Sequence, residues 1–221
     1  MPVFELTDQL IFPHPAYAAP SGLLAVGGDL STQRLILAYS NGIFPWFSED
    51  DPIMWWSPNP RMVLFPHEFK TSKSLRKTLR SNTFEVRMNT CFPEVIKACS
   101  EAPRKSDTGE TWISPDMQHA YIRLHRMGYA HSFETFHSNR LVGGLYGVRI
   151  GSAFFGESMF HYETDASKVA LSALTQWCVA QEIRVIDAQQ STPHLASLGA
   201  REIPRSEFLS LIRSEKDLPS G

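Results

Sequence analysis

At 221 residues the chain is one large domain or two small ones, and 43% hydrophobic with 20% charged residues is an ordinary globular balance. A net charge of −2 argues against attraction to nucleic acid by the whole surface, while leaving room for a local basic stripe. Cys91, Cys99 and Cys178 form an odd count without CxxC spacing, which fits buried thiols in a reducing cytoplasm better than a disulfide framework or a zinc site.

Met1 to Leu10 contains Glu5 and Asp8 and no basic run, so no signal peptide is expected, and no apolar run approaches membrane-spanning length. The expectation is a cytoplasmic protein with no membrane contact. Residues 12–31, FPHPAYAAPSGLLAVGGDLS, are rich in turn formers. The first helix follows: Ser31 is an N-cap, Leu35, Ala38 and Tyr39 form one face, and Asn41-Gly42 stops it. GIFPWFSEDDPIMWWSPNPR then gathers Trp46, Trp55 and Trp56 with Phe44 and Phe47, and prolines 45, 52, 58 and 60 forbid continuous helix or sheet. These aromatics read first as a small core clamping this lobe to the next. The functional alternative is an aromatic wall for a nucleobase or an apolar side chain, with Tyr39 and Trp46 as its members.

From Arg61 the pattern changes. MVLFP reads as a strand and FKTSKSLRKTLRS as a helix with Lys70, Lys73, Arg76, Lys77 and Arg80 on one side and Leu75 and Leu79 on another. A run of like charge is by default a solvated face. The absence of any acid here makes the stripe a candidate contact for a phosphate backbone. TFEVRMN reads as a strand, FPEVIKACS as a short helix, and EAPRKSDTGETWISPD as a polar loop. Ser114 and Pro115 then start a helix expected to bury Met117, Ala120, Tyr121, Leu124 and Met127 and to end at Gly128. Trp112 and Tyr121 are core residues or cleft walls.

HSFETFHS, RLVGGLYGVR and SAFFGESMFH form consecutive strands joined by short turns. The glycines of LVGGLYG lack a following Lys-Ser/Thr, so close backbone approach explains them better than a phosphate loop. Strict alternation puts Phe155, Glu157 and Met159 on one side of a central strand and Phe154, Gly156, Ser158 and Phe160 on the other. Glu157 among aromatics is expensive to bury unless it is paired or used. A helix from Asp165, read as its N-cap, to Gln181 follows. IRVIDAQQ is a buried strand with Asp187 and Gln189 on one face at its exit; TPHLASLG is a short helix, AREIP a strand and SEFLSLIRS a last helix. A polar strand end explains Asp187 and Gln189 as well as catalysis does, but with Glu157 they make a candidate catalytic cluster. No Ser-His-Asp order, GxSxG, HExxH or Walker motif is present, and the histidines form no i, i+4 metal pair, so no metal is expected.

The strand–helix unit resembles the acyl-transfer fold of the GNAT superfamily, with its mixed sheet and splayed strands. The connection before the helix, HYETDASK, is acidic and glycine-free, and so lacks the backbone cradle a coenzyme A pyrophosphate would use. More specifically, GGDLS, GIFPWF, WWSPNPR, ETWIS, AHSFE, LVGGLYGV, GESMF, ASLGA and EIPR resemble, in order and over about residues 20 to 208, the leucyl/phenylalanyl-tRNA–protein transferase family.

That resemblance implies an α+β protein with a small N-terminal α/β lobe over 1–60 and a GNAT-like mixed-sheet domain over 61–221. It implies transfer of Leu or Phe, less well Met, from aminoacyl-tRNA to acceptor proteins beginning with Arg or Lys, in the N-degron pathway. The family's catalytic roles fall on Asp187, Gln189 and Glu157. The aminoacyl side chain would lie among Leu145, Phe154, Met159, Leu171, Leu174 and Ile186, and the terminal adenosine against Trp46, Trp112 and Tyr121. The basic stripe would receive the tRNA backbone. No cofactor and a monomer are expected. Family pockets carry Met and Phe near Leu145 and Leu174, which leaves the preference between Leu and Phe open. The rivals are a coenzyme A-dependent N-acetyltransferase of the same fold and a non-catalytic tRNA- or peptide-binding module.

Overall fold

A computed structural model describes residues 3–102 and 111–212. Residues 103–110 of the polar loop expected at 101–116 and the last two residues of the expected terminal helix, 213 and 214, lie outside the described residues. The N-terminal part holds β1 (Phe4–Leu6), β2 (Leu23–Gly27), α1 (Thr32–Ser40), β3 (Phe44–Pro45) and β4 (Met54–Trp56), with the strands ordered β1-β2-β4-β3. A sheet here departs from the local reading, in which the prolines forbid continuous sheet, and agrees with the α/β lobe that the resemblance implied. Its strands are two to five residues long, and Pro45 sits on the edge strand, where no neighbour needs its missing N–H. In α1 the Ser31 hydroxyl accepts from the Arg34 N–H, and Leu35, Ala38 and Tyr39 are buried.

The remainder comprises β5 (Arg61–Leu64), α2 (Lys73–Arg80), β6 (Glu85–Met88), α3 (Phe92–Glu101), α4 (Pro115–Arg126), β7 (Ala130–His137), β8 (Arg140–Ile150) and β9 (Ala153–His161). It continues through α5 (Ala166–Ala180), β10 (Val185–Gln189), α6 (Pro193–Ser197), β11 (Arg201–Ile203) and α7 (Arg205–Ile212). Seven strands run in the order β11-β5-β10-β9-β8-β7-β6. Within this sheet, among the described residues, β9 and β10 pair in parallel and every other neighbouring pair is antiparallel. This is the α+β mixed sheet that the resemblance implied. One face packs against α1, α3, α4 and α7 through Tyr146, Val148, Phe155 and Phe160; the other carries α5 against Phe133, Leu145, Phe154 and Ile186.

Two details differ from the expected pattern and shape the site. Tyr146 pairs with Ser158 and Gly147 with Gly156, so Glu157 is the extra residue of a β-bulge. The bulge breaks strict alternation: Phe155 and Phe160 share one core face, and Phe154 and Met159 share the other. Opposite it, a Cβ on Gly147 would collide with the Phe155 carbonyl oxygen, so only glycine lets the strands close here. Secondly, β9 and β10 pair only over Ala153–Phe155 and Val185–Asp187, and β10 shifts register on β5 between Asp187 and Gln189. Beyond those points the two strands part.

Helix boundaries shift as well. The basic helix begins at Lys73 rather than Phe69, because Ser72 caps it through the Leu75 N–H, leaving Lys70 in the preceding coil with its N–H on the Leu198 carbonyl. Asp165 stands at the N-cap of α5 without capping it. Its backbone is left-handed (φ +67°), and its carboxylate binds Thr78 Oγ1 at 3.2 Å and Lys168 Nζ at 2.7 Å.

Candidate active site

Where β9 and β10 part, a cavity of about 370 Å³ opens between them, with α5 and α6 as its other walls. Leu145, Met159, Leu171, Leu174 and Ile186 line it, five of the six apolar residues expected there. Phe154 is the correction: it is fully buried beneath the cavity, edge-on to Phe133 and Trp177 at 6.4 and 6.1 Å. Sequence reasoning missed Tyr146, and missed Thr192, His194 and Leu195 of the α6 segment. Thr192 and Pro193 do announce the start of that helix, but nothing local says that it covers a cavity.

The polar end of the cavity is one connected network. Glu157 Oε1 accepts from Tyr39 Oη at 2.8 Å and from Gln189 Nε2 at 3.0 Å, and its Oε2 accepts from Tyr121 Oη at 2.9 Å. The two tyrosine oxygens also lie within hydrogen-bond distance of one another, and since each hydroxyl has a single proton the triangle they form with Glu157 is complete only when that carboxyl carries one of its own. Burial pushes the Glu157 carboxyl up to about 7, and the nearby Asp187 charge adds to that; the bonds from Tyr39, Tyr121 and Gln189 oppose it. Burial and the neighbouring carboxylate push both tyrosines well above their ordinary value. With Gln189 Nε2 turned to Glu157, its Oε1 is left at the cavity with no hydrogen bond to a described residue.

Asp187 is reached from the other side. Arg61, fully buried, donates Nε to Oδ1 at 2.8 Å and Nη2 to Oδ2 at 2.7 Å, and Oδ1 also accepts the Gln189 backbone N–H at 2.9 Å. Asp187 therefore meets Gln189 through the backbone, and Gln189 meets Glu157 through its side chain. Asp187, Gln189 and Glu157 are thus brought together, and Arg61 is the partner that sequence reasoning did not find. Its only local signal was an arginine opening an apolar strand.

The aromatic candidates separate. Tyr39 and Tyr121 are fully buried with their hydroxyls on Glu157, so neither has a ring face open to a nucleobase. Trp46 is 38% exposed and lies edge-on to Trp56, and Trp112 is half-buried. Lys73, Arg76, Lys77 and Arg80 line a surface hollow along α2; they and Lys70 are exposed, and among the described residues none of the five is ion-paired. Among the described residues no three His, Cys, Asp or Glu side chains converge as a metal ion would require, and no helix is long and apolar enough to cross a membrane.

Residues 63–213 match the leucyl/phenylalanyl-tRNA protein transferase family, and residues 28–59 match that family's N-terminal domain. The chain belongs to this family. A leucyl/phenylalanyl-tRNA–protein transferase of Syntrophobacter fumaroxidans is 57% identical over 212 residues, covering 96% of this chain and 90% of the relative. One from Syntrophotalea carbinolica is 54% identical over 220 residues, covering 100% and 95%. Membership makes the chain an aminoacyltransferase. Among solved structures, FemX is similar with a TM-score of 0.46 and 10% identity, over 82% of this chain and 71% of that one. A GCN5-related N-acetyltransferase from Kribbella flavida follows at 0.41 and 7%, over 75% and 58%.

Proposed function

We propose that this transferase moves Leu or Phe, less readily Met, from aminoacyl-tRNA to the α-amine of proteins beginning with Arg or Lys, marking them for degradation in the cytoplasmic N-degron pathway. The observation that supports the reading is the apolar cavity with Gln189 in its lining, whose amide nitrogen is spent on Glu157 and whose Oε1 remains an acceptor beside a slot of a size for a Leu or Phe side chain. Ester aminolysis is downhill, so alignment is the main demand on the enzyme. An α-amine with a pKa near ~8 is partly neutral at pH 7. Its nitrogen attacks the ester carbonyl carbon, the bond to the ribose oxygen breaks, and the proton lost by the amine ends on that leaving oxygen. Gln189 Oε1 accepts a hydrogen bond from the attacking amine and fixes its approach; glutamine is too weak a base to hold the proton.

Glu157 orients the Gln189 amide. Because Arg61 offsets the charge of Asp187, Glu157 is the acid at this end of the cavity that favours a cationic acceptor residue. The tRNA backbone lies along the basic stripe from Lys70 to Arg80, and the terminal adenosine against Trp46 and Trp112, whose rings retain exposed surface. An apolar slot separates side chains that differ by one methylene by only about 1–3 kcal/mol, hence some transfer of Met. The test is incubation with labelled Leu-tRNA and a peptide beginning with Arg. Label on the peptide's N-terminus is expected; a wild-type protein that leaves the peptide unlabelled, or that acetylates it from acetyl-coenzyme A instead, overturns the reading.

A further inference from the structure

We propose that Arg61 is a positioning residue for aminoacyl transfer: its guanidinium fixes the Asp187 carboxylate that sets the conformation of Gln189. The inference rests on the transfer reaction proposed above. Among the described residues two arginines are fully buried, and they spend their donors differently. Arg34 bonds the carbonyls of Thr7 at 2.8 Å and Gln9 at 3.2 Å and touches the half-exposed Asp29, which is how an arginine staples chain segments together. Arg61 gives both of its bonds to one carboxylate. Its guanidinium lies over the rings of Phe44 and Phe208 at 4.8 and 4.6 Å, and Nη1 has no hydrogen-bond partner among the described residues. Replacing a buried ion pair by apolar side chains often leaves stability unchanged or raises it, so stability alone is a weak reason for this one.

What the pair does is legible in the next bond. Gln189 follows the register shift of β10 and stands in the left-handed region (φ +62°), a conformation that costs a glutamine energy and persists only where its surroundings impose it. The imposing contact is the Gln189 N–H on Asp187 Oδ1, the same oxygen that Arg61 Nε holds. Arg61 thereby fixes the carboxylate, the carboxylate fixes the backbone of Gln189, and that backbone aims the amide at Glu157 on one side and at the cavity on the other. The rigid fork of arginine is needed because two parallel bonds set the plane of the carboxylate; a lysine ammonium would neutralise the charge without setting it.

Arg61 also governs the field at Glu157. The groups facing Glu157 are Tyr39 from α1, Tyr121 from α4, Tyr146 from β8, and Asp187 and Gln189 from β10. With Arg61 neutralised by substitution, the unbalanced Asp187 charge raises the proton affinity of Glu157.

The experiment compares wild type, Arg61→Lys, Arg61→Met and, as a control, Arg34→Met. It measures kcat and KM for transfer from Leu-tRNA to an Arg-peptide across pH 5.5 to 9, with thermal melts. Arg61→Lys is expected to lower kcat about tenfold with KM for Leu-tRNA unchanged, because the slot is intact and only the aim of the amine is lost. Arg61→Met is expected to lower kcat about a hundredfold and to move the acidic limb of the profile up by about one pH unit. The control is expected to melt earlier and to keep the wild-type kcat and limb. Folded Arg61 variants with wild-type kcat and pH profile overturn the proposal, and so does failure of both to fold, which would make Arg61 a structural residue. An inactive wild type would instead overturn the reaction on which the proposal rests.

Discussion

Glu134 and Glu157 are two buried carboxylates in neighbouring parts of one sheet, and they do opposite things. Glu134 receives Ser132 Oγ at 2.5 Å, Thr90 Oγ1 at 3.1 Å and the Thr90 N–H at 3.2 Å, pinning the turn that leads into α3. Its donors are a serine on its own strand and a threonine just past the neighbouring strand β6. Glu157 receives side chains from α1, α4 and β10, sits on a bulge and borders a cavity. Burial of an acid is therefore no mark of function in itself; the origin of its donors and its access to a ligand-sized space make the difference.

The sharpest break between the two regions is expected at Gln189. Gln189→Ala is expected to lower kcat/KM for transfer by about a hundredfold or more with a melting temperature near wild type. Steady-state kinetics beside a melt check this, and a fully active variant would remove Gln189 from the reaction.

Glu134→Ala is expected to do the reverse. Leaving the buried Ser132 hydroxyl without its acceptor and releasing the exposed Thr90 costs on the order of 1–2 kcal/mol of stability in denaturant titration, with kcat unchanged for the folded fraction. A kinetic defect at full stability would erase the contrast.

The third way to sharpen it is pH. Glu157 is raised from 4.5 to about 7 in the folded protein, so between those values the folded state holds a proton that the unfolded state has released. Stability is accordingly expected to fall as pH rises through that window, by on the order of 3 kcal/mol, and Glu157→Gln to remove this slope while stabilising the protein at pH 8. Activity is expected to run the other way. The ionised carboxylate carries the charge that favours a cationic acceptor residue, so kcat/KM for an Arg-peptide is expected to fall as pH drops below about 7. Because protonation of the attacking amine gives an acidic limb of its own, the decisive comparison is with Glu157→Gln: a variant with the wild-type acidic limb would dissociate Glu157 from the chemistry.

The smallest effect concerns the stripe. Lys73→Ala with Arg76→Ala is expected to weaken tRNA binding severalfold and to flatten the dependence of log K on log salt by about 1.5. An unchanged slope in filter-binding or anisotropy titrations would take α2 out of the tRNA contact.

Much of the architecture was legible because it is written locally. Ser31 and Ser114 announced the starts of α1 and α4, and the alternating run from His131 to His161 announced three antiparallel strands. The motifs GIFPWF, WWSPNPR and GESMF carried the family. The N-terminal sheet was hidden because strands of two to five residues leave too little periodicity to read, and the start of α2 was misplaced because Thr71 and Ser72 compete with the helix they precede.

The amino-acid order by itself determined the mixed α+β class and the family and singled out Glu157, Asp187 and Gln189 as candidates, since each rests on local propensity or a contiguous motif. Only the tertiary structure decided what those residues hold. Arg61 meets Asp187 across 126 positions, Tyr39 meets Glu157 across 118, and α6 closes a cavity that its own sequence does not mention. The physical reason is that a hydrogen bond depends on distances of a few tenths of an ångström, and those are set by how helices and bulged strands pack rather than by any residue's neighbours in the chain.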